Sequence, residues 1–355
     1  MSSTPPNSTP PNSTPPNSTP PSSTQRIWYL GPQGSFTHQA ANDVLHHYLS
    51  DSDNGELIPA ANVKDIMAAV QSGQGWGVIA WESNVEGYVV PNLDMMIDSD
   101  NVAAFARVSV DIAFDAFTST PEGLALTEVS AHPHGLAQCQ SYIESANLRP
   151  VPASSNAAAC RDILPGQVAL GPRICGDLYG LRTLATEIQD YQGAHTDFLV
   201  LNRREAIMQF LSYQANQQSG EYESVIALIP LSTGSGVLAN ALDVLRDAGL
   251  NMTSFISRPI KGNDGTYSFI ATIDAAPWQQ NFHEALSQLI ASGTWIKTLA
   301  VYSRRERPNP PVTAWMLPRG GASMSVPQQG ASASQSAFSE GINENSDEIR
   351  KELLW

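Results

Sequence analysis

Tyr29-Leu30-Gly31-Pro32-Gln33-Gly34-Ser35-Phe36-Thr37-His38-Gln39-Ala40-Ala41 decides the class of fold. An apolar run ends in a glycine-bracketed turn, and hydroxyl residues then open a segment with helical spacing, so the stretch reads as strand, turn and helix. Such a turn gathers backbone N–H groups and Ser and Thr hydroxyls at one point, where the start of a helix can hold a carboxylate. The same pattern is satisfied equally well by a plain turn in which Ser35 or Thr37 only caps the helix.

Moving outward, short apolar runs at 27–30, 77–80, 108–113 and 167–170 alternate with helical stretches at 37–47 and 62–71, the grain of an α/β domain. A second block is organised differently. It reads strand 224–231, helix 236–248, strand 252–260, strand 266–275, helix 278–291 and strand 294–302, with breaks at Gly249-Leu250-Asn251 and Ala275-Ala276-Pro277. This βαββαβ order is the ferredoxin-like plan.

Both ends differ from the middle. The repeated Asn-Ser-Thr-Pro-Pro pentad has almost nothing to bury, so residues 1–25 are expected to be disordered with polyproline II character. Residues 306–355 are again rich in Pro, Gly, Ser and Gln and are expected to be mostly disordered, with a short amphipathic helix at the close. With 355 residues and 42% hydrophobic composition, the remainder is long enough for two or three folded units. A net charge of −15 argues against nucleic acid as a partner, because phosphate contacts need clustered Lys and Arg. No apolar run approaches the ~20 residues that span a bilayer, and no signal-peptide pattern opens the chain, so a cytoplasmic protein away from membranes is expected. Cys139, Cys160 and Cys175 lack CxxC spacing and read as reduced core residues, and neither metal-ligand spacing nor a nucleotide loop calls for a cofactor.

Five further motifs follow the opening loop. They are Trp81-Glu82-Ser83-Asn84-Val85-Glu86-Gly87, Ala131-His132-Pro133-His134-Gly135-Leu136-Ala137-Gln138-Cys139, Ser155-Asn156-Ala157-Ala158-Ala159, Tyr179-Gly180-Leu181 and Thr196-Asp197-Phe198. In this order they resemble the prephenate dehydratase family, which turns prephenate into phenylpyruvate, water and CO2. The resemblance implies a two-lobed, periplasmic-binding-protein-like catalytic domain at 26–205 with its ligand between the lobes. It also implies an ACT domain, an amino-acid-sensing module, at 222–305.

For site residues the resemblance implies catalytic roles for Thr196 and Gln138, and substrate contacts from Gly34, Ser35, Thr37, Glu82, Ser83, Asn84, His132, Ser155 and Phe198. Gly236, Val237, Leu238, Asn251, Ser257, Arg258 and Pro259 correspond to the amino-acid site of the ACT module. It implies L-phenylalanine as effector and a homodimer or homotetramer as the assembly. Several positions depart from the family pattern: Ser83 stands in the place of an asparagine, Ala131 of a serine, Ile256 of a glutamate, and Asp197 of the arginine in Thr-Arg-Phe.

The last departure carries the most chemistry. The family arginine is suited to clamping a carboxylate, whereas a carboxylate ~4 Å from a substrate carboxylate costs about 4 kcal/mol at an effective dielectric of 20. Three arrangements relieve the clash: a cation (Arg173, Arg161, His132, His134 or His195) shared with the substrate, protonation of Asp197 by burial, or a side chain turned away from the cleft. The resemblance therefore leaves three functions open. They are a prephenate dehydratase using Thr196 as hydrogen-bond donor to the leaving hydroxyl, a divergent enzyme such as a non-aromatising decarboxylase, and a catalytically inactive amino-acid sensor.

Overall fold

A computed structural model describes residues 24–49, 55–217, 220–260, 262 and 265–304. The expectations for the proline-rich repeat and the closing tail fall almost wholly outside the described residues.

The first lobe grows from the opening motif. Strand β1 (Gln25–Leu30) leads into α1 (Phe36–Tyr48), β2 (Gly55–Ala60), α2 (Val63–Gln71) and β3 (Trp76–Ser83). Both β2 and β3 pair with β1 in parallel. Parallel strands of this kind are buried on both faces. Accordingly Ile27 and Tyr29 pack on Ala40, Ala41 and Val44 of α1, while Trp28 and Leu30 pack on the opposite side with Ile66 and Val70 of α2. Asn62 caps α2 through its Oδ1, which accepts the Asp65 N–H at 3.0 Å. The sheet continues with β11 (His195–Arg203) and β5 (Val102–Asp111), both reached after excursions elsewhere, and β11 runs antiparallel to β3 and β5.

The second lobe is inserted between β5 and β11. Its strands β6 (Asp115–Thr118), β7 (Glu128–Ala131), β8 (Arg149–Pro152), β9 (Gln167–Gly171) and β10 (Arg182–Ala185) take the order β10-β6-β9-β7-β8. Four short helices surround them: α4 (Pro133–Gln138), α5 (Gln140–Ser145), α6 (Asn156–Arg161) and α7 (Ile174–Tyr179). The chain crosses between lobes twice, and the crossings bond to each other: the Ile112 N–H donates to Ala194 O at 2.7 Å and the Ile188 N–H to Phe114 O at 2.9 Å. Two lobes joined by paired crossings form the periplasmic-binding-protein-like arrangement, with a cleft where the lobes meet.

After α8 (Arg204–Gln217) come β12 (Tyr222–Pro230), α9 (Val237–Asp247), β13 (Met252–Pro259), β14 (Tyr267–Ile273), α10 (Gln280–Ala291) and β15 (Thr294–Ser303). This is the expected βαββαβ order, each element ending within two residues of its sequence-based bounds, and the strand order β13-β14-β12-β15 is that of the ferredoxin-like ACT fold. One face of this sheet is covered by α9 and α10 through Leu245, Phe282 and Leu289. The other face packs Val225, Ala227, Ile270 and Leu299 against Leu93 and Met96 of α3 (Val90–Asp98), which follows β3 and the short β4 (Gly87–Tyr88). At Ala300 strand β15 meets Ala104 of β5 in parallel, so the ACT strands and the first-lobe strands run on as one ten-stranded sheet.

Candidate active site

The lobes enclose a cavity of about 910 Å³, walled from one side by the β1–α1 turn and the ends of β3 and β11, and from the other by the starts of α4 and α6. Apolar side chains, Leu30, Phe36, Val89, Ile112, Phe114 and Phe198, form much of its wall. Ser35, Thr37, Ser83, Ser154, Ser155 and Thr196 supply hydroxyls, and among the described residues neither Lys nor Arg lines it. The chamber suits a ring-sized molecule with polar groups that are met by hydrogen bonds.

Local chemistry sets the glycine turn. Ser35 is the N-cap of α1: its Oγ accepts the His38 N–H at 3.1 Å and donates to Leu30 O at 3.1 Å. Gly34 sits at φ +83°, and its N–H donates to His38 Nδ1 at 3.1 Å. That bond leaves Nδ1 unprotonated. Burial holds the His38 imidazole below its usual range, and the ring stacks on Tyr29 at 5.0 Å. Ser35 and Thr37 line the cavity, whereas Gly34 does not: a side chain there would meet Cys175 Sγ at 3.0 Å, so its place in the motif is explained by backbone shape. From the second lobe the Tyr179 hydroxyl donates to Gln33 O at 2.6 Å and Cys175 Sγ to Gly34 O at 3.3 Å, which ties the turn to α7.

Strand β11 resolves the problem of Asp197. Thr196 and Phe198 face the cavity, and Asp197 between them faces the other side of the sheet. There it lies 3.7 Å from Arg107 of β5, which also approaches Glu223 of β12 at 3.2 Å and lies over the Tyr302 ring at 4.7 Å. Burial opposes the Arg107 charge, but Tyr302, Asp197 and Glu223 together outweigh it and hold the guanidinium above its usual value. Of the cations considered from sequence, the two arginines are engaged with other carboxylates. Arg161 pairs with Asp162 and Arg173 with Asp115 and Glu187. The third arrangement, a side chain turned away, is the one observed, and the anticipated clash with a ligand in the cleft does not arise.

Two more expected contacts are relocated. Register pairs Thr196 with Ser83 and Asp197 with Glu82, after which a bulge opposes Phe198 to Ala80. Ser83 and Ala80 therefore share the cavity face with Thr196, while Glu82 is turned to the Arg107 side. Burial first, and then Asp197, push the Glu82 carboxyl above the usual range. Asn84 also lies off the cavity lining. Its Nδ2 donates to Gly193 O at 2.9 Å and its Oδ1 accepts the His195 N–H at 2.8 Å, so it pins the second crossing to the end of β3.

In the second lobe His132, Ser155 and Gln138 all line the cavity. Ser155 caps α6 by accepting the Ala158 N–H at 2.9 Å, and Asn156 Oδ1 accepts the His132 N–H at 2.9 Å. His132 caps α4 with an Nδ1 that accepts from the His134 N–H at 3.3 Å, and burial followed by His134 holds its imidazole below the usual range. Sequence reasoning passed over Glu86, which lines the cavity from the first lobe and reaches both His134 and Gln138 of the second. Its acidic character within the Trp81-to-Gly87 motif was the available signal. Among the described residues no group of three or more His, Cys, Asp or Glu side chains is gathered to hold a metal ion.

Residues 27–206 match the family model for prephenate dehydratase. This chain belongs to the prephenate dehydratase family. It is 29% identical to the prephenate dehydratase of Amycolatopsis methanolica over 287 residues, 79% of this chain and 89% of that one. Among solved structures, the prephenate dehydratase of Arthrobacter aurescens in complex with L-Phe superposes with a TM-score of 0.65 at 24% identity, covering 79% of this chain and 90% of that one. GqqA, a novel type of quorum quenching acylase, gives 0.66 at 19% identity and covers 79% and 98%. These two establish a shared fold only.

On the ACT side, Gly236 precedes α9 at φ +85° with Val237 and Leu238 in its first turn, and Asn251 Nδ2 donates to Asp274 Oδ2 at 2.6 Å. Ser257 and Pro259 are exposed on β13. Arg258 between them turns to α3 and binds both oxygens of Asp94 at 3.1 Å. This arginine is thus engaged within the chain, on the opposite side of the strand from Ser257.

Proposed function

We propose that the protein is a prephenate dehydratase acting in the cytoplasm on the path to L-phenylalanine. The observation that carries this reading is Thr196 on the cavity face of β11, within the 27–206 region that matches the prephenate dehydratase family. Prephenate fits the chamber: its ring lies among the aromatic and aliphatic walls, and its two carboxylates are met by hydroxyls and by the N–H groups at the start of α1. The Thr196 hydroxyl donates a hydrogen bond to the ring hydroxyl as its C–O bond breaks. The ring carboxylate leaves as CO2, and its bonding electrons complete the aromatic ring. One proton is consumed and water departs. A threonine hydroxyl contributes orientation and transition-state hydrogen bonding here rather than bulk acidity.

Residues 26–205 then form the catalytic unit and 222–305 a regulatory unit that binds an amino acid, with L-phenylalanine as the effector and a dimer or tetramer as the working assembly. The L-Phe complex of the Arthrobacter aurescens enzyme supports the effector assignment.

The test incubates the purified protein and its Thr196→Ala variant with prephenate at neutral pH, following substrate loss and phenylpyruvate together. The variant corrects for spontaneous aromatisation. Phenylpyruvate formation that drops by about 10²-fold or more in the variant supports the reading. Prephenate loss without phenylpyruvate points to redirected chemistry, and no loss above background points to a sensor.

A further inference from the structure

Glu86 projects from the β3–β4 turn of the first lobe, where Ser83 Oγ accepts its N–H at 3.4 Å. Its carboxylate crosses to the second lobe: Oε1 accepts Gln138 Nε2 at 3.2 Å and Oε2 lies 3.3 Å from His134 Nδ1. All three side chains line the same cavity. An ionised carboxylate only accepts hydrogen bonds, so it selects the N–H₂ end of the Gln138 carboxamide, whose two ends are otherwise interchangeable in shape. The oxygen end, a pure acceptor, is left for whatever occupies the cleft.

We propose that Glu86 is a positioning residue that makes Gln138 a hydrogen-bond acceptor for the hydroxyl of a ring-hydroxylated substrate. The inference rests on the dehydratase reading. At neutral pH prephenate carries a single strong donor, the ring hydroxyl; its other polar groups, two carboxylates and a ketone, only accept. An acceptor held at Gln138 therefore recognises that hydroxyl alone and fixes its O–H, which leaves an oxygen lone pair for the donor Thr196. Without Glu86 the carboxamide is free to turn and to present N–H₂ instead, a group that competes with Thr196 for the same oxygen. Glu86 also joins the lobes across the cleft, so the orientation of Gln138 is set only when the lobes are together.

Two measurements on the full-length protein test this. In steady-state assays with prephenate, E86Q should lower kcat by about tenfold with little change in KM, and E86D should recover part of the loss, since a hydrogen bond to a charged group is worth that order. In ¹H–¹⁵N spectra, the Gln138 side-chain N–H₂ resonances, assigned by their disappearance in Q138E, should shift in E86Q and return towards wild type in E86D. Wild-type kcat in E86Q, or Gln138 resonances unmoved in both variants, would overturn the proposal while leaving the dehydratase reading intact. A wild-type protein inert towards prephenate whose Gln138 resonances still respond to E86Q would overturn that reading, and with it the assignment to a ring hydroxyl.

Discussion

Thr196 and Asp197 are neighbours in β11 whose side chains serve opposite faces of one sheet: the threonine opens on the inter-lobe cavity, and the aspartate lies 3.7 Å from buried Arg107 on the side of the ACT strands. Arg107 in turn approaches Glu223 of β12. The strand that presents the candidate proton donor is thus backed directly by an ionic contact to the ACT sheet. A buried guanidinium of this kind stabilises only while its carboxylates remain in place.

Replacing Asp197 with Asn should leave the KM for prephenate within about twofold of wild type, because the side chain faces away from the cleft, while stability falls by about 1–3 kcal/mol through weakened pairing of Arg107. Steady-state kinetics and urea unfolding check both numbers. Removing a carboxylate that faced the substrate would lower KM by orders of magnitude, and that result would overturn the placement.

Glu82 makes a pH prediction whose sign is opposite to that of an ordinary ion-paired carboxylate. Burial and Asp197 raise its pKa in the folded state. Its favourable contribution is then fully present below the unfolded value, about 4.3, and is lost as pH rises through the folded value. Glu82→Gln, which mimics the protonated group, should stabilise the protein by about 1 kcal/mol at pH 7.5. The gain should shrink as pH falls towards the unfolded value. Denaturant titrations at several pH values decide it, and a variant less stable than wild type at pH 7.5 would refute the sign.

The bidentate contact of Arg258 with Asp94, whose side chains are 24% and 17% exposed, should tie the ACT strands to α3. A double-mutant cycle with Arg258→Ala and Asp94→Ala is expected to give a coupling of about 1–2 kcal/mol. Were the two losses simply additive, the contact would be incidental to how the ACT strands are held. If an amino-acid effector engages Arg258, the same cycle measured with L-phenylalanine present should show a smaller coupling.

Much of the site was legible in the order of residues. Alternation along a strand places Thr196 and Phe198 on one face and Asp197 on the other, so the orientation that removes the clash was already available from period two. Ser35 and Ser155 fit the expected pattern of hydroxyl caps at helix starts, and both line the cleft. Gly34, Glu82 and Asn84 belong to the right motifs but serve the turn, the rear face and the crossing. The bulge opposite Phe198 is what carries Glu82 to the rear, and no local signal announces the extra residue, which falls within the apolar run Val78-Ile79-Ala80-Trp81.

By itself the amino-acid sequence determined the alternation of strands and helices, the βαββαβ block and the motifs that belong to the cleft, because those follow from periodicity, turn chemistry and short-range capping. Only the tertiary structure decided which charges meet. Arg107 and Asp197 come together across β5 and β11 with Glu223 from the ACT strands, and Glu86 meets Gln138 across the two lobes. Each such pair is joined by a long excursion of chain that enters the second lobe, and its distance is set by how packed sheets and lobes settle, a quantity that no local pattern of residues encodes.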